Sequence, residues 1–338
     1  MSSGLQLNEQ PSLLFDEAGL KSVEAIMASC AADHDGDLLS RMLGHHLAAG
    51  GKRLRARLAL AAASALGFSR YDATGWAAAV EILHNASLIH DDIQDGDTVR
   101  RGHPTVWSRF GVSQAINAGD LGLMLPFKLV SDIQAEPSIQ MALVRLVSQE
   151  AINTVAGQSN ALTLLPDACF ERERYFACVV RTTGAFFSLP VEGAALLSGL
   201  SEIEARRLGE AFLKLGILFQ LQDDVLDLYG DKGRDIRGAD LREGKVSALV
   251  IEHLAHCPKD HDWLLGLLRR SRAQTSTGDI ERAIETFRVS GALKRCMDRI
   301  NDIANSINED SYLSRFPELH DLARECVEVV LEPIEGMV

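Results

Sequence analysis

Six aspartates in two short runs are the residues of this sequence best suited to chemistry. Asp91, Asp92 and Asp95 lie in HNASLIHDDIQDGDTVRRG, and Asp223, Asp224 and Asp227 in FQLQDDVLDLYGDKG, so each run spells DDxxD. On a helix, positions i and i+4 share a face one turn apart, which sets Asp91 beside Asp95 and Asp223 beside Asp227. Like charges so placed oppose the helix by about a few tenths of a kcal/mol per exposed pair. Both runs also fall at the C-terminal end of an apolar helix, where the macrodipole disfavours negative charge. A bound cation offsets both costs. Carboxylates without His or Cys suit a hard ion, and Mg²⁺ keeps waters and shares a diphosphate with one or two carboxylates. One such run could be a solvated acidic face; two, each following an apolar helix, point to metal.

Basic residues stand where an anion so held would need them. Gly50-Gly51-Lys52-Arg53-Leu54-Arg55 precedes the first run, Arg100 and Arg101 follow it, and Gly244-Lys245 follows the second. Glycines let backbone amides approach an anion, and Arg offers phosphate a two-pronged donor. Two acidic faces with three basic stations suit two polyphosphate groups at once. His84 lies seven residues before Asp91, two helical turns away on the same side; on spacing alone it could equally be a packed core residue.

The elements that must position these groups read as helices. Apolar residues recur every three or four positions over 76–95, 114–133 and 204–228. Breaks fall at Gly50-Gly51, over 67–72, at Gly102-His103-Pro104, near Leu165-Pro166 and over 230–244. No run alternates long enough to make a strand. The 338 residues are 46% hydrophobic but only 6% aromatic, an Ala- and Leu-rich balance that favours helix. An all-α chain forming one domain over 1–338 is therefore expected, with its motifs within about 43–250 and further helices over about 260–335.

The net charge of −13 excludes nucleic acid or an anionic membrane as a partner through overall field. Cys30, Cys169, Cys178, Cys257, Cys296 and Cys326 are scattered without a CxxC pair, which argues against zinc and fits reduced thiols in a cytoplasmic protein. The first ten residues, MSSGLQLNEQ, lack a signal-peptide pattern, and no apolar run approaches transmembrane length.

Taken together, the motifs resemble the trans-isoprenyl diphosphate synthases, the polyprenyl synthetase family. GGKRLRA is similar to the family's GGKRLRP, with Ala56 in place of Pro. LIHDDIQDGDTVRRGHPT and FQLQDDVLD resemble its two aspartate-rich motifs, and REGKVSAL its lysine segment. The resemblance implies a helical bundle of the isoprenoid synthase type around a central active-site cavity, and a homodimer. It implies Mg²⁺, three ions with substrate bound, on Asp91, Asp95 and Asp223, with Asp92 and Asp227 supporting and Asp224 also among the catalytic residues. Arg100, Lys245 and Arg181 would meet the allylic diphosphate, Arg181 standing where the family has Lys. Lys52, Arg53, His84 and Arg101 would bind isopentenyl diphosphate, and Thr182 and Gln220 would face the developing carbocation.

Small residues at Ala86 and Ser87, five and four positions before Asp91, would leave room for a growing tail; family members that stop at fifteen carbons often carry aromatics there. Geranylgeranyl diphosphate is the expected product, ahead of a longer polyprenyl or a farnesyl chain, with Leu83, Met124 and Phe127 as candidate floor. A class I terpene cyclase, a phosphohydrolase built round His90-Asp91 and a non-catalytic subunit are the rival readings.

Overall fold

The computed structural model describes residues 14, 16–32, 38–165, 170–230 and 237–337. Its helices are α1 (Glu17–Ala32), α2 (Leu38–Ala48), α3 (Leu54–Ala65), α4 (Thr74–Asp95), α5 (Val106–Phe110), α6 (Val112–Asp132), α7 (Pro137–Leu164), α8 (Arg172–Val179) and α9 (Ala185–Leu197). They continue as α10 (Glu202–Tyr229), α11 (Ala239–Arg242), α12 (Ala248–Leu254), α13 (His261–Leu268), α14 (Thr277–Val289), α15 (Ala292–Asn308) and α16 (Pro317–Leu331). The expected all-α architecture is what the chain adopts, and the three periodic segments match α4, α6 and α10 to within two residues at either end. The amino-terminal decapeptide, Pro166, Cys169 and part of the 230–244 break lie outside the described residues.

The core forms where α3, α4, α6, α9 and α10 pack on one another. The run Ala77-Ala78-Ala79 on α4 and Ala56, Ala59 and 61–63 of α3 are buried, so these helices meet with little side chain between them. Trp76 ties α4 to α9: its indole Nε1 donates to the Pro190 carbonyl at 3.0 Å, and a Cβ on Gly193 would strike its ring. Ser201 and Glu204 form a reciprocal cap at the start of α10, satisfying amides the helix leaves open.

Two local features depart from the sequence reading. Val99–Arg100 and His103–Pro104 form a two-residue-per-strand hairpin, β1 and β2. Its central residues Arg101 and Gly102 have φ of 53° and 77°, the primed-turn geometry of tight hairpins. Between α8 and α9, Val180–Gly184 is a π-helical turn. Such turns insert one residue into a helix, rotate the residues after it, and often occur at functional sites.

Candidate active site

Three cavities meet at Asp91 and Gln158. The first, of about 540 Å³, is polar and carries Asp91, Asp95 and Asp223 with Lys245, Glu243 and Gln220. The second, of about 150 Å³, carries Arg55, His84, Ser87 and Thr182. The third, of about 500 Å³, runs between α4, α6 and α7 past Leu83, Ser87, Leu123, Ala151, Val155 and Phe186. An acidic chamber, a basic pocket and a mostly apolar groove thus share one corner.

The six aspartates divide within this frame. Lys245 Nζ sits 2.8 Å from Asp95 and 2.9 Å from Glu243, so the lysine spans from the first acidic run to its own loop. Burial, with Asp95 beside it, pushes the Asp91 carboxyl up to about 7. The other three are tied to the fold by hydrogen bonds, although Asp224 also lines the chamber. Asp92, 1% exposed, accepts from Arg100 Nε at 2.7 Å. Asp224 accepts from Tyr175 Oη at 2.6 Å, Gln220 Nε2 at 2.8 Å and the Ala248 amide at 2.6 Å, joining α8, α10 and α12. Asp227 accepts the Asp240 amide at 3.2 Å, and its carbonyl takes the Gly238 amide, which pins the chain after α10.

The basic residues divide too. Arg55 enters the small pocket on the first turn of α3, with its guanidinium over the Phe187 and Phe219 rings at 5.0 and 5.8 Å. Arg55 Nε, His84 Nδ1 and Thr154 Oγ1 are buried there without a hydrogen-bond partner. Orphaned polar atoms converging on one pocket mark a place for a ligand that satisfies them. Burial and the nearby Arg55 hold His84 well below the usual imidazole range, so it is neutral. Burial and three arginines, Arg100, Arg101 and Arg53, push His46 down to about 3. A positive field is therefore concentrated here in a chain of net charge −13.

The Gly50–Arg53 loop and the β1–β2 turn are built around each other. Arg101 Nη1 donates to the Gly50 carbonyl, and a Cβ on Gly51 would occupy the Arg101 guanidinium's place. Lys52 is exposed beside them.

A protein-family model described as polyprenyl synthetase matches residues 36–287. The chain belongs to the polyprenyl synthetase family. The geranylgeranyl diphosphate synthase of Methanosarcina mazei is 32% identical over 286 residues, covering 84% of this chain and 83% of that one. Among solved structures, the geranylgeranyl pyrophosphate synthetase of Pyrococcus horikoshii superposes with TM-score 0.82 at 27% identity, over 92% of this chain and 96% of its own. A polyprenyl synthase of Caulobacter crescentus, complexed with calcium and isoprenyl diphosphate, superposes with TM-score 0.81 at 26% identity, over 93% and 94%. The family match sets aside the cyclase and phosphohydrolase readings, and the chain is a prenyl diphosphate synthase rather than a silent subunit.

In this synthase several site expectations need correction. Arg53 is buried in a different place: it donates to the Leu47 carbonyl at 2.6 Å, lies 3.9 Å from Glu81, and lines a cleft between α1 and α2. Arg53 precedes α3 in a left-handed turn with φ of 50°, whereas Arg55 lies on the helix's first turn, so the two side chains leave in different directions. Arg100 stands at the first acidic run, its Nε donating to Asp92 at 2.7 Å. Arg181 is exposed and does not line the chamber, because the π turn directs Thr182 and Thr183 inward instead. Thr182 Oγ1 donates to the Cys178 carbonyl at 3.0 Å, and Thr183 Oγ1 to Gln220 Oε1 at 2.8 Å.

Ala86 faces α6: it is fully buried, and a Cβ on Gly122 would stand 2.8 Å from its own. Ser87, one residue on, lines the groove. Met124 is 60% exposed and is no floor, while Phe127 is half-buried against the core. The sequence reading missed Arg55, Thr183, Tyr175, Gln158 and Glu243. Arg55 was in plain view in GGKRLRA; the others carry no local signal.

Proposed function

We propose that this synthase condenses isopentenyl diphosphate with allylic diphosphates to make geranylgeranyl diphosphate. The observation that carries this reading is the convergence of the three cavities on Asp91 and Gln158. An allylic diphosphate would lie in the acidic chamber, isopentenyl diphosphate would have its diphosphate at Arg55 and His84, and the tail would run along the groove. Asp91, Asp95 and Asp223 offer oxygen donors alone, one of them a carboxyl raised by burial and by its neighbour, a set that fits Mg²⁺. Bound there, magnesium would supply charge neutralisation for the departing diphosphate.

The chain's own residues do the rest. Lys245, released from Asp95, would grip the leaving group and remain charged, since its two carboxylate neighbours raise its pKa. Gln220, fixed between Thr183 and Asp224, would present a carbonyl dipole to the cationic carbon, with Thr182 beside it. Arg55 and neutral His84 would orient the double bond of isopentenyl diphosphate, and the enclosing helices would exclude water. The released diphosphate would accept the proton lost after bond formation. Relatives named for twenty-carbon products and the small Ser87 on the groove wall support the product length.

The working unit in this reading is a homodimer. Val112, Ile116 and Met124 form an exposed stripe along α6, beside Met141, Ile152, Val155 and Leu162 on α7. Soluble monomers rarely leave so long an apolar face uncovered. No described helix is long and apolar enough to cross a membrane.

Incubation with labelled isopentenyl diphosphate, dimethylallyl, geranyl or farnesyl diphosphate and Mg²⁺ tests the reaction and product together. A twenty-carbon alcohol after dephosphorylation is expected. No elongation of any primer would overturn the reaction, and a fifteen- or thirty-carbon main product would overturn the length.

A further inference from the structure

Beyond α12, at the end away from Lys245, three side chains of different chemistry come together. One ring nitrogen of His253, the Cys257 thiol and one Asp260 carboxylate oxygen all lie within 4.8 Å of one another. We propose that His253, Cys257 and Asp260 form a site for a divalent transition metal, zinc by the character of its donors, separate from the aspartate chamber. Imidazole, thiolate and a single carboxylate are the mixed N, S and O set that zinc takes, and three protein ligands leave a fourth position for water. The pattern His-x3-Cys-x2-Asp lacks the paired cysteines by which zinc sites are read from sequence, so the scattered cysteines gave no hint of it.

The geometry needs little change to receive an ion. Zinc bonds of about 2.0–2.3 Å at tetrahedral angles put ligand atoms roughly 3.3–3.6 Å apart. His253 Nε2 and Asp260 Oδ2 are already 3.1 Å apart, so the thiol needs to close by about 1 Å at most. The backbone between the ligands is braced: the Cys257 amide donates to the His253 carbonyl at 2.8 Å, and the Asp260 amide to the Cys257 carbonyl at 3.0 Å. His253 is fully buried, whereas Cys257 and Asp260 are half-buried and open to an arriving ion.

The other imidazole nitrogen is held as a metal-bound histidine requires. Nδ1 lies 2.8 Å from Ser290 Oγ, and that hydroxyl has the Phe287 carbonyl at 3.3 Å to donate to. In the tautomer with Nδ1–H donating to that oxygen, Nε2 presents a lone pair to a carboxylate. Two acceptors face each other, and a cation between them resolves the conflict. The opposite tautomer, with Nε2–H donating to Asp260, leaves no such conflict and no metal. On binding, the Cys257 thiol would lose its proton to solvent as the metal–sulfur bond forms, with no change of oxidation state. The ion would join the end of α12 to the turn leading into α13, on a helix whose first amide, at Ala248, is held by Asp224.

The test uses the full-length protein, dialysed against Mg²⁺ after exposure to Zn²⁺, and parallel titration with Co²⁺. One zinc retained per chain is expected, with a thiolate-to-cobalt charge-transfer band and tetrahedral d–d bands. Cys178 lines the aspartate chamber, so the deciding comparison is Cys257→Ser, which should lose both the zinc and the band while keeping prenyl transfer in Mg²⁺. Asp260→Asn should also lose the zinc, and Ser290→Ala should weaken affinity on the order of 10–100-fold through the freed imidazole. Wild-type protein that retains no zinc would overturn the site, as would zinc and a charge-transfer band that persist in Cys257→Ser.

Discussion

Asp91 stands half-buried with Asp95 one turn along α4, and its carboxyl titrates at about 7 instead of near 4. The folded chain thus holds a proton that the unfolded chain releases between about pH 4 and pH 7. The stability from that proton is complete below the unfolded pKa and is lost as pH rises through 7. Asp91→Asn should therefore melt higher than wild type at pH 8 without metal, by about 1–2 °C for each kcal/mol relieved. The gap should close by pH 4 and narrow when Mg²⁺ is added to wild type, while turnover falls by on the order of 10²–10³ or more. Parallel metal-free melting curves for the two proteins across pH would refute this. Arg53 and Arg55 give a second contrast. Arg55→Gln should raise KM for isopentenyl diphosphate and leave melting nearly unchanged. Arg53→Gln removes a buried guanidinium bonded to the Leu47 carbonyl and should cost about 1–3 kcal/mol of stability with little effect on KM. Equal KM effects from both would undo the assignment. The sequence showed both arginines but not which way each turns, because that depends on where α3 begins, and Arg53 precedes it with φ of 50°.

Among the elements, α4 and α6 come closest where Gly122 meets Ala86. Any larger residue at 86 presses on the α6 backbone rather than on a tail. Ala86→Phe should cost about 1–3 kcal/mol or more through overpacking, with product length unchanged in whatever protein folds. Ser87→Phe projects into the groove and should shift the product towards fifteen or ten carbons. Chromatography of dephosphorylated products separates the two, and shortening by Ala86→Phe alone would return the tail to that face. The helices themselves were legible, because α4, α6 and α10 have long amphipathic patterns and clear breaks. The π turn was not: VRTTG has no feature that asks for an extra residue, and its cause is tertiary. There, Gly216 of α10 comes so near Gly184 that a Cβ would lie 2.7 Å from the Gly184 Cα. The β1–β2 hairpin was hidden likewise, since an Arg-Gly turn with two-residue strands leaves no alternation to read.

Across the whole molecule, the apolar stripes of α6 and α7 run beside the groove, and Val155 and Leu162 belong to both. In the proposed homodimer, closing the groove and pairing two copies would be one event. Ile152→Lys, 59% exposed and outside the groove lining, should shift sedimentation from dimer to monomer and broaden the product distribution as the groove opens. A variant that stays dimeric, or a wild type that is monomeric, would count against this face. The uneven employment of the six aspartates also has a consequence for descent. If a duplicated copy of this gene were freed from catalysis but kept for its shape, drift would not treat the two DDxxD runs evenly. Asp91, whose charge is disfavoured by burial and by Asp95, would be replaced early, to the copy's benefit. Asp92, Asp224 and Asp227 would persist, because each satisfies a buried cation or an amide of another element. Such a copy would lose the first aspartate of its first run and keep the second of each, a partly erased motif that separates carboxylates bonded to the fold from one whose charge the fold tolerates poorly.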